Sequence, residues 1–318
     1  MDPLSGLRAI MADGSGDDGL SLRASPPLQV ELDALAEGHE EHTLPELAAV
    51  RPGGGPADGP GWSVRVLPSA APALSAASPP AAPEANRDLF WAGPALGAHE
   101  LIVSSPQAVS SLCELGADQL EAAVEVWRDR MRRHERAAYV HVTVEEGVEA
   151  RPEPLHSHAQ LYALDFVPAA VARERERFGA YATRTMGGNL LADLVQEEVR
   201  RRERIVAIDD DCVLISPWAP RSPFQLLIAP RRPRARFEDD GPTGARMLGE
   251  ALRRLVARFG APPPLALWVR TAPRGAEHFC WRIDVVPRVG RIGGLELGTG
   301  VPVIPVAPER AAAELQAL

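Results

Sequence analysis

From Glu100 onward the chain writes one order of hydrophobic patterns twice, and this repetition constrains its fold more than any other feature. Glu100-Leu-Ile-Val reads as a short strand, Ala117 to about Arg136 as a helix with Leu120, Val124, Trp127 and Met131 on one face, and Tyr139 to Val144 as an alternating strand. A charged helical connector follows from about Pro168 to Arg204. The order then returns: a strand Phe224-Gln-Leu-Leu-Ile, a helix from about Thr243 to Phe259, a strand Leu265 to Arg270 and a last strand from Cys280 to Val286. A proline closes the first strand of each run, and His158 follows Pro106 by 52 residues just as Arg282 follows Pro230 by 52. Element order and offset together predict an α+β fold of two antiparallel-sheet units with packed helices, related by duplication. His158 and Arg282 should then occupy equivalent positions. The first unit is placed at 1–170 and the second at 171–318, with 1–60 and 68–85 partly loop because Gly, Pro, Ala and Asp dominate there.

Only the first run carries histidines at that position. In an extended segment His156-Ser157-His158-Ala159-Gln160 puts three polar side chains on one face, bounded by apolar residues. The plain reading of such a triplet is two surface histidines on a strand. The chemical reading is a nucleophile site: an imidazole whose tautomer is fixed can attack phosphorus and hold a covalent nucleotidyl group, while an adjacent Gln donates to the phosphate oxygens.

Composition narrows the alternatives. A net charge of -9 and a pI near 5.5 argue against a surface for nucleic acid or anionic membrane. All 34 basic residues are arginines, which excludes a lysine nucleophile or Schiff-base chemistry. Cys113, Cys212 and Cys280 are widely spaced with no CxxC, as in a reduced cytoplasmic protein. No basic-plus-apolar leader opens the sequence, and no apolar run reaches the roughly 18 residues of a membrane span.

Six segments, in order, are similar to those of the galactose-1-phosphate uridylyltransferases, the two-domain branch of the histidine-triad superfamily. Asp2-Pro-Leu-Ser-Gly6 resembles DPLTG, Trp62 to Leu74 resembles WxVRVxPNxxPAL, and Gly97-Ala-His-Glu-Leu-Ile-Val103 resembles GxHEVIV. His156 to Gln160 resembles HPHxQ, Pro217 to Pro230 resembles the strand pair that follows, and Gly294 to Gly300 with Pro308 to Ala312 resembles the GfElgtG and PEeaA ending. The resemblance implies that His158 attacks the α-phosphorus of a nucleotide sugar, releases sugar 1-phosphate and passes the nucleoside monophosphate to a second sugar 1-phosphate. By the same resemblance Gln160 would bond the nonbridging oxygens, His156 would orient the site, and Glu296 would accept bonds from sugar hydroxyls. The implied partners are a nucleotide sugar and a sugar 1-phosphate, and a homodimer is compatible with it. A hydrolase or phosphorylase sharing the covalent step, and a noncatalytic nucleotide-sugar binder, are the competing readings.

The departures from the pattern concern metal and phosphate. Positions that hold zinc in metal-bearing members carry Asp33, Ala36 and Ala108 beside His156, and those of the second metal site carry Pro233, Cys280 and Arg282. One His cannot hold a tetrahedral zinc, and His39 and His42 read as solvated loop residues, so no metal and no cofactor is expected. The arginines expected after DPLTG fall in Asp13 to Asp18, Ser69 replaces an Asn, and Glu145 to Gly147 with Arg151 to Glu153 replace a substrate loop. A Glu145 or Glu153 carboxylate about 4 Å from the diphosphate would cost on the order of 4 kcal/mol at an effective dielectric near 20. Arg151 and Arg282 are the candidates to offset that charge, and with Ser69 and Glu296 they complete the expected substrate contacts.

Overall fold

The computed structural model describes residues 33–75, 93–147, 156–290 and 293–318. Its ten strands are β1 (Ala48–Val50), β2 (Val64–Pro68), β3 (Gly97–Val103), β4 (Tyr139–Glu146), β5 (His158–Leu164), β6 (Ile205–Ile208), β7 (Cys212–Ile215), β8 (Leu226–Pro230), β9 (Leu265–Arg270) and β10 (Arg282–Pro287). They form one antiparallel sheet in the order β1-β2-β3-β5-β4-β9-β10-β8-β7-β6. Read inward from its two edges, this is one pattern used twice: 1-2-3-5-4 from one side and 6-7-8-10-9 from the other. The α+β reading of the sequence therefore holds. The halves meet where β4 pairs with β9, and Val144 opposite Leu267 lies at the centre of the junction.

The helices follow the periodicities that predicted them. α1 (Ala117–Arg133) buries Leu120, Val124, Trp127 and Met131 against one face of the sheet. α4 (Ala245–Phe259) does the same in the second half with Leu248, Leu252 and Leu255, and α6 (Pro308–Gln316) adds Ala311 and Leu315. Burying side chains of this size contributes about 1.5–3 kcal/mol each, so the core fixes which sheet face is covered. The alternation of β5 then assigns its residues: Ala159, Leu161 and Ala163 enter the helix-covered core, while His158, Gln160 and Tyr162 stand half-buried on the opposite face.

The connector after β5 is two helices, α2 (Ala169–Arg184) and α3 (Leu190–Arg201), separated by a turn in which Asn189 caps α3. Phe178 of α2 and Leu191 and Val195 of α3 pack with Val213, Ile215, Leu227 and Ala229, covering the second half on the face that β5 leaves polar in the first. Two corrections concern the repeat. β6 and β7 lie in a stretch where no strand was expected, because each has only four residues and no room to show a period. His158 and Arg282 do open β5 and β10, but the prolines are not equivalent. The ladders pair Ile102 with Ala159 and Ile228 with Ile283, so Pro230 corresponds to Ser104 and Pro106 lies two residues further on.

Candidate active site

The His-Ser-His segment enters β5 held at each residue. The His156 ring is fully buried, with Nδ1 2.8 Å from Asp33 Oδ2 and Nε2 2.8 Å from the Ser105 carbonyl. Carboxylate and carbonyl oxygens only accept, so the ring is held between two acceptors, Asp33 and Ser105, with both nitrogens placed to donate. Ser157 Oγ donates to Glu146 Oε1 at 2.6 Å, and Ser157 N–H donates to the Val109 carbonyl at 2.6 Å. Glu146 also accepts from Ser111 Oγ and Leu112 N–H, and its burial raises its carboxyl pKa.

His158 Nδ1 lies 2.8 Å from the His156 carbonyl. Because a carbonyl cannot donate, Nδ1 carries the proton and Nε2 keeps its lone pair. Burial lowers the His158 pKa, the bond to the His156 carbonyl opposes this, and the neighbouring His156 ring lowers it further, so the net direction is down. The ring is a neutral imidazole at pH 7 with its nucleophilic nitrogen defined.

Gln160 lies two residues on, on the same face. Its Oε1 accepts from Tyr162 OH at 2.6 Å and lies 3.0 Å from His99 Nε2. Thus the tip of β5 presents an imidazole lone pair and, beside it, an amide group that can donate.

The other candidates are placed elsewhere. Ser69 donates its backbone N–H to the His99 carbonyl, four residues along β3 from Val103, which is the residue opposite His158. Arg282 does not reach the site. Gln160, Thr143, Trp268 and Asp284 form one continuous row across β5, β4, β9 and β10, so Asp284 is three strand spacings, about 14 Å, from Gln160. His158 and Arg282 lie on opposite sides of that row. The Arg282 guanidinium is bound to Glu174 Oε1 and Oε2 at 3.1 Å each and to Asp284 Oδ2 at 3.0 Å, so its charge is already matched. Glu296 is in the first turn of α5 (Gly294–Thr299), not at a strand end, and its exposed carboxylate accepts from the N–H groups of Gly293 and Val303. Arg151 and Glu153, like Asp2 to Gly6 and Asp13 to Asp18, lie outside the described residues. Glu145 is exposed on β4, opposite Ala266.

These residues do not fit the family's metals. Ala36 and Ala108 offer no donor, and both nitrogens of His156 are already occupied. At the second position burial pushes the Cys280 thiol up to about 11, so it is protonated, and Arg282 brings a cation where a ligand is needed. Among the described residues no group of three or more His, Cys, Asp or Glu side chains gathers as metal ligands would.

Sequence reasoning did not single out His99, Tyr162 or Glu146, and it treated Asp33 only as a lost ligand. Tyr162 carried a signal, since it continues the period of two from His158 and Gln160. His99 stands in the segment resembling GxHEVIV but gave no sign of its pairing with Gln160, which lies 61 residues away.

Comparison with known proteins bears on this arrangement. The family model for the galactose-1-phosphate uridyl transferase N-terminal domain matches residues 63–168, the span that contains β2 to β5 and the His-Ser-His segment. Over that span the chain is similar to the N-terminal domain of the galactose-1-phosphate uridylyltransferases. It is 26% identical over 285 residues to ADP-glucose phosphorylase of Arabidopsis thaliana, covering 86% of this chain and 78% of that protein. It is 26% identical over 209 residues to galactose-1-phosphate uridylyltransferase of Haemophilus influenzae, covering 64% of this chain and 60% of that one. Among solved structures, a uridylyltransferase superposes with a TM-score of 0.80 at 23% identity, covering 99% of this chain and 96% of that chain. An Arabidopsis thaliana ADP-glucose phosphorylase with bound ADP-glucose superposes with 0.76 at 22%, covering 93% of each. At these identities the structures share the fold. The named relatives are enzymes. No helix among the described residues is long and apolar enough to cross a membrane.

Proposed function

We propose that this chain is a nucleotidyltransferase acting on nucleotide sugars and sugar phosphates through a covalent nucleotidyl-His158. The observation that carries the reading is the hydrogen bond from His158 Nδ1 to the His156 carbonyl, which leaves Nε2 as a neutral nucleophile beside Gln160. In the first step Nε2 forms a bond to the α-phosphorus, and the bond from that phosphorus to the bridging oxygen breaks. Sugar 1-phosphate leaves with the electron pair. The imidazole becomes cationic as it is phosphorylated, and the His156 carbonyl accepting from Nδ1–H stabilises that charge. In the second step a phosphate oxygen of the acceptor attacks phosphorus, and Nε2 regains its lone pair. The amide of Gln160 donates to the nonbridging oxygens, where charge builds in the transition state.

A phosphorylase, with inorganic phosphate as acceptor, is the second reading. It is favoured by the long match to ADP-glucose phosphorylase and by Arg282, the arginine considered for sugar-phosphate binding, being engaged elsewhere. The products separate the two. With UDP-glucose or ADP-glucose as donor, hexose 1-phosphate should yield a new nucleotide sugar in the first case, and inorganic phosphate should yield the nucleoside diphosphate in the second. If neither donor loses sugar 1-phosphate with either acceptor, the proposal fails.

A further inference from the structure

The amide of Gln160 could face either way, and the residues around it leave one choice. His99 Nδ1 lies 3.2 Å from the backbone N–H of Ala73 and must accept from it. The ring proton is therefore on Nε2, which donates to Gln160 Oε1 at 3.0 Å. Tyr162 OH donates to the same oxygen at 2.6 Å, and the His99 and Tyr162 rings stack with centroids 4.2 Å apart and planes at 21°. Two donors fill both lone pairs of Oε1, so the NH₂ group is the one turned outward. Reversing the amide would set its N–H bonds against the Nε2–H of His99. The ring could yield only by moving its proton to Nδ1, against the Ala73 N–H. The tautomer of one residue, fixed by a backbone group of the loop after β2, thus fixes the direction of another residue's amide.

We propose that His99, together with Tyr162, is a positioning residue that holds Gln160 with its N–H groups toward the transferring phosphoryl group. This rests on the reading above, in which Gln160 donates to the nonbridging oxygens. A preorganised donor of this kind is worth roughly 10²-fold or more in rate when removed, and a wrongly turned amide offers an acceptor where a donor is required. His99 and Tyr162 touch no reacting atom and act only through Gln160, so their effects should vanish once Gln160 is gone.

The experiment is a set of double-mutant cycles on single-turnover nucleotidyl transfer from UDP-glucose or ADP-glucose, whichever supports the faster turnover, with thermal unfolding as a check on folding. Gln160→Ala and Gln160→Glu should each slow the step by roughly 10²-fold, because Glu keeps the acceptor that His99 and Tyr162 bind but offers no N–H. Tyr162→Phe, which keeps the ring and the stack, and His99→Ala should each slow it by roughly tenfold with KM little changed, and neither should add to Gln160→Ala. If Tyr162→Phe and His99→Ala keep the wild-type rate, or slow Gln160→Ala by the same factor as the wild type, the positioning role is wrong while the role of Gln160 stands. If the Gln160 variants themselves turn over at the wild-type rate, both fall together.

Discussion

His158 and Gln160 in β5 and Arg282 and Asp284 in β10 stand at matching positions of two strands, and they use their hydrogen-bonding capacity in opposite ways. In the first half His158 Nδ1 is tied to the His156 carbonyl and Gln160 Oε1 to two neighbours, so a lone pair and an amide NH₂ are left over among the described residues. In the second half Arg282 binds Asp284 and both oxygens of Glu174, a residue of α2, and the charges close on themselves. α2 and α3 cover that face in the second half, where Phe178, Leu191 and Val195 pack against Val213, Ile215 and Leu227. One scaffold thus yields an open polar face and a sealed one. The difference lies in whether each polar group has its partner within the protein.

His158→Ala should lower single-turnover transfer by roughly 10⁴-fold or more, since a covalent path has no substitute for its nucleophile. Wild-type transfer by this variant would remove the first half's claim to the chemistry. His156→Ala and Asp33→Ala should cost less, roughly tenfold, because they loosen the segment that orients His158 without removing the reacting nitrogen. Each should also lower the urea midpoint, since either removes the hydrogen bond between Asp33 and the buried His156 ring.

A smaller effect is expected from pH. Because burial lowers the His158 pKa, the acid limb of the transfer rate should lie below the ordinary His value of about 6.5, with the rate flat from pH 8 to about 6.5. The sign for stability follows: the folded state binds fewer protons at His158 than the unfolded chain, so this contribution is present above pH 6.5 and is lost as pH falls. A rate already halved at pH 7 would contradict the neutral-imidazole assignment.

Arg282→Met should leave transfer per folded molecule unchanged while costing about 3–5 kcal/mol of stability in urea unfolding, because buried Asp284 would be left unpaired and Glu174 would keep only Arg270, at 3.5 Å. Loss of transfer in a folded Arg282→Met protein would instead join Arg282 to the site. Dialysis against a chelator should change neither rate nor unfolding midpoint, and elemental analysis should find well under one zinc or iron per chain.

The legible part of this fold was what local period can carry. The stripe of Leu120, Val124, Trp127 and Met131 is buried as predicted, and the alternation through Val140 to Val144 matches the burial of β4, with Tyr139 buried as well. The spacing of 52 paired His158 with Arg282 although its prolines are two residues out of register, because the stretch from Ser104 to His158 is two residues longer than that from Pro230 to Arg282 and Pro106 lies two residues late. The site was legible where its members are neighbours in sequence, as His156, His158 and Gln160 are. Asp33, Glu146, His99 and Glu174 meet their partners across long stretches of chain, through sheet register and helix packing that no window of sequence contains. Arg282 illustrates the limit: its position was predicted from the repeat, but its role depends on Glu174 of α2, a residue without a counterpart in the pattern.

The central claim is a covalent bond between His158 and a nucleotide. The direct measurement is intact-mass and peptide mass spectrometry of the protein after brief exposure to UDP-glucose or ADP-glucose without acceptor, under alkaline conditions that preserve phosphorus–nitrogen bonds. The account predicts one added nucleoside monophosphate per chain, located at His158, discharged on adding sugar 1-phosphate or inorganic phosphate and absent in His158→Ala. Turnover with no adduct at any time point, or an adduct on another residue, would contradict it.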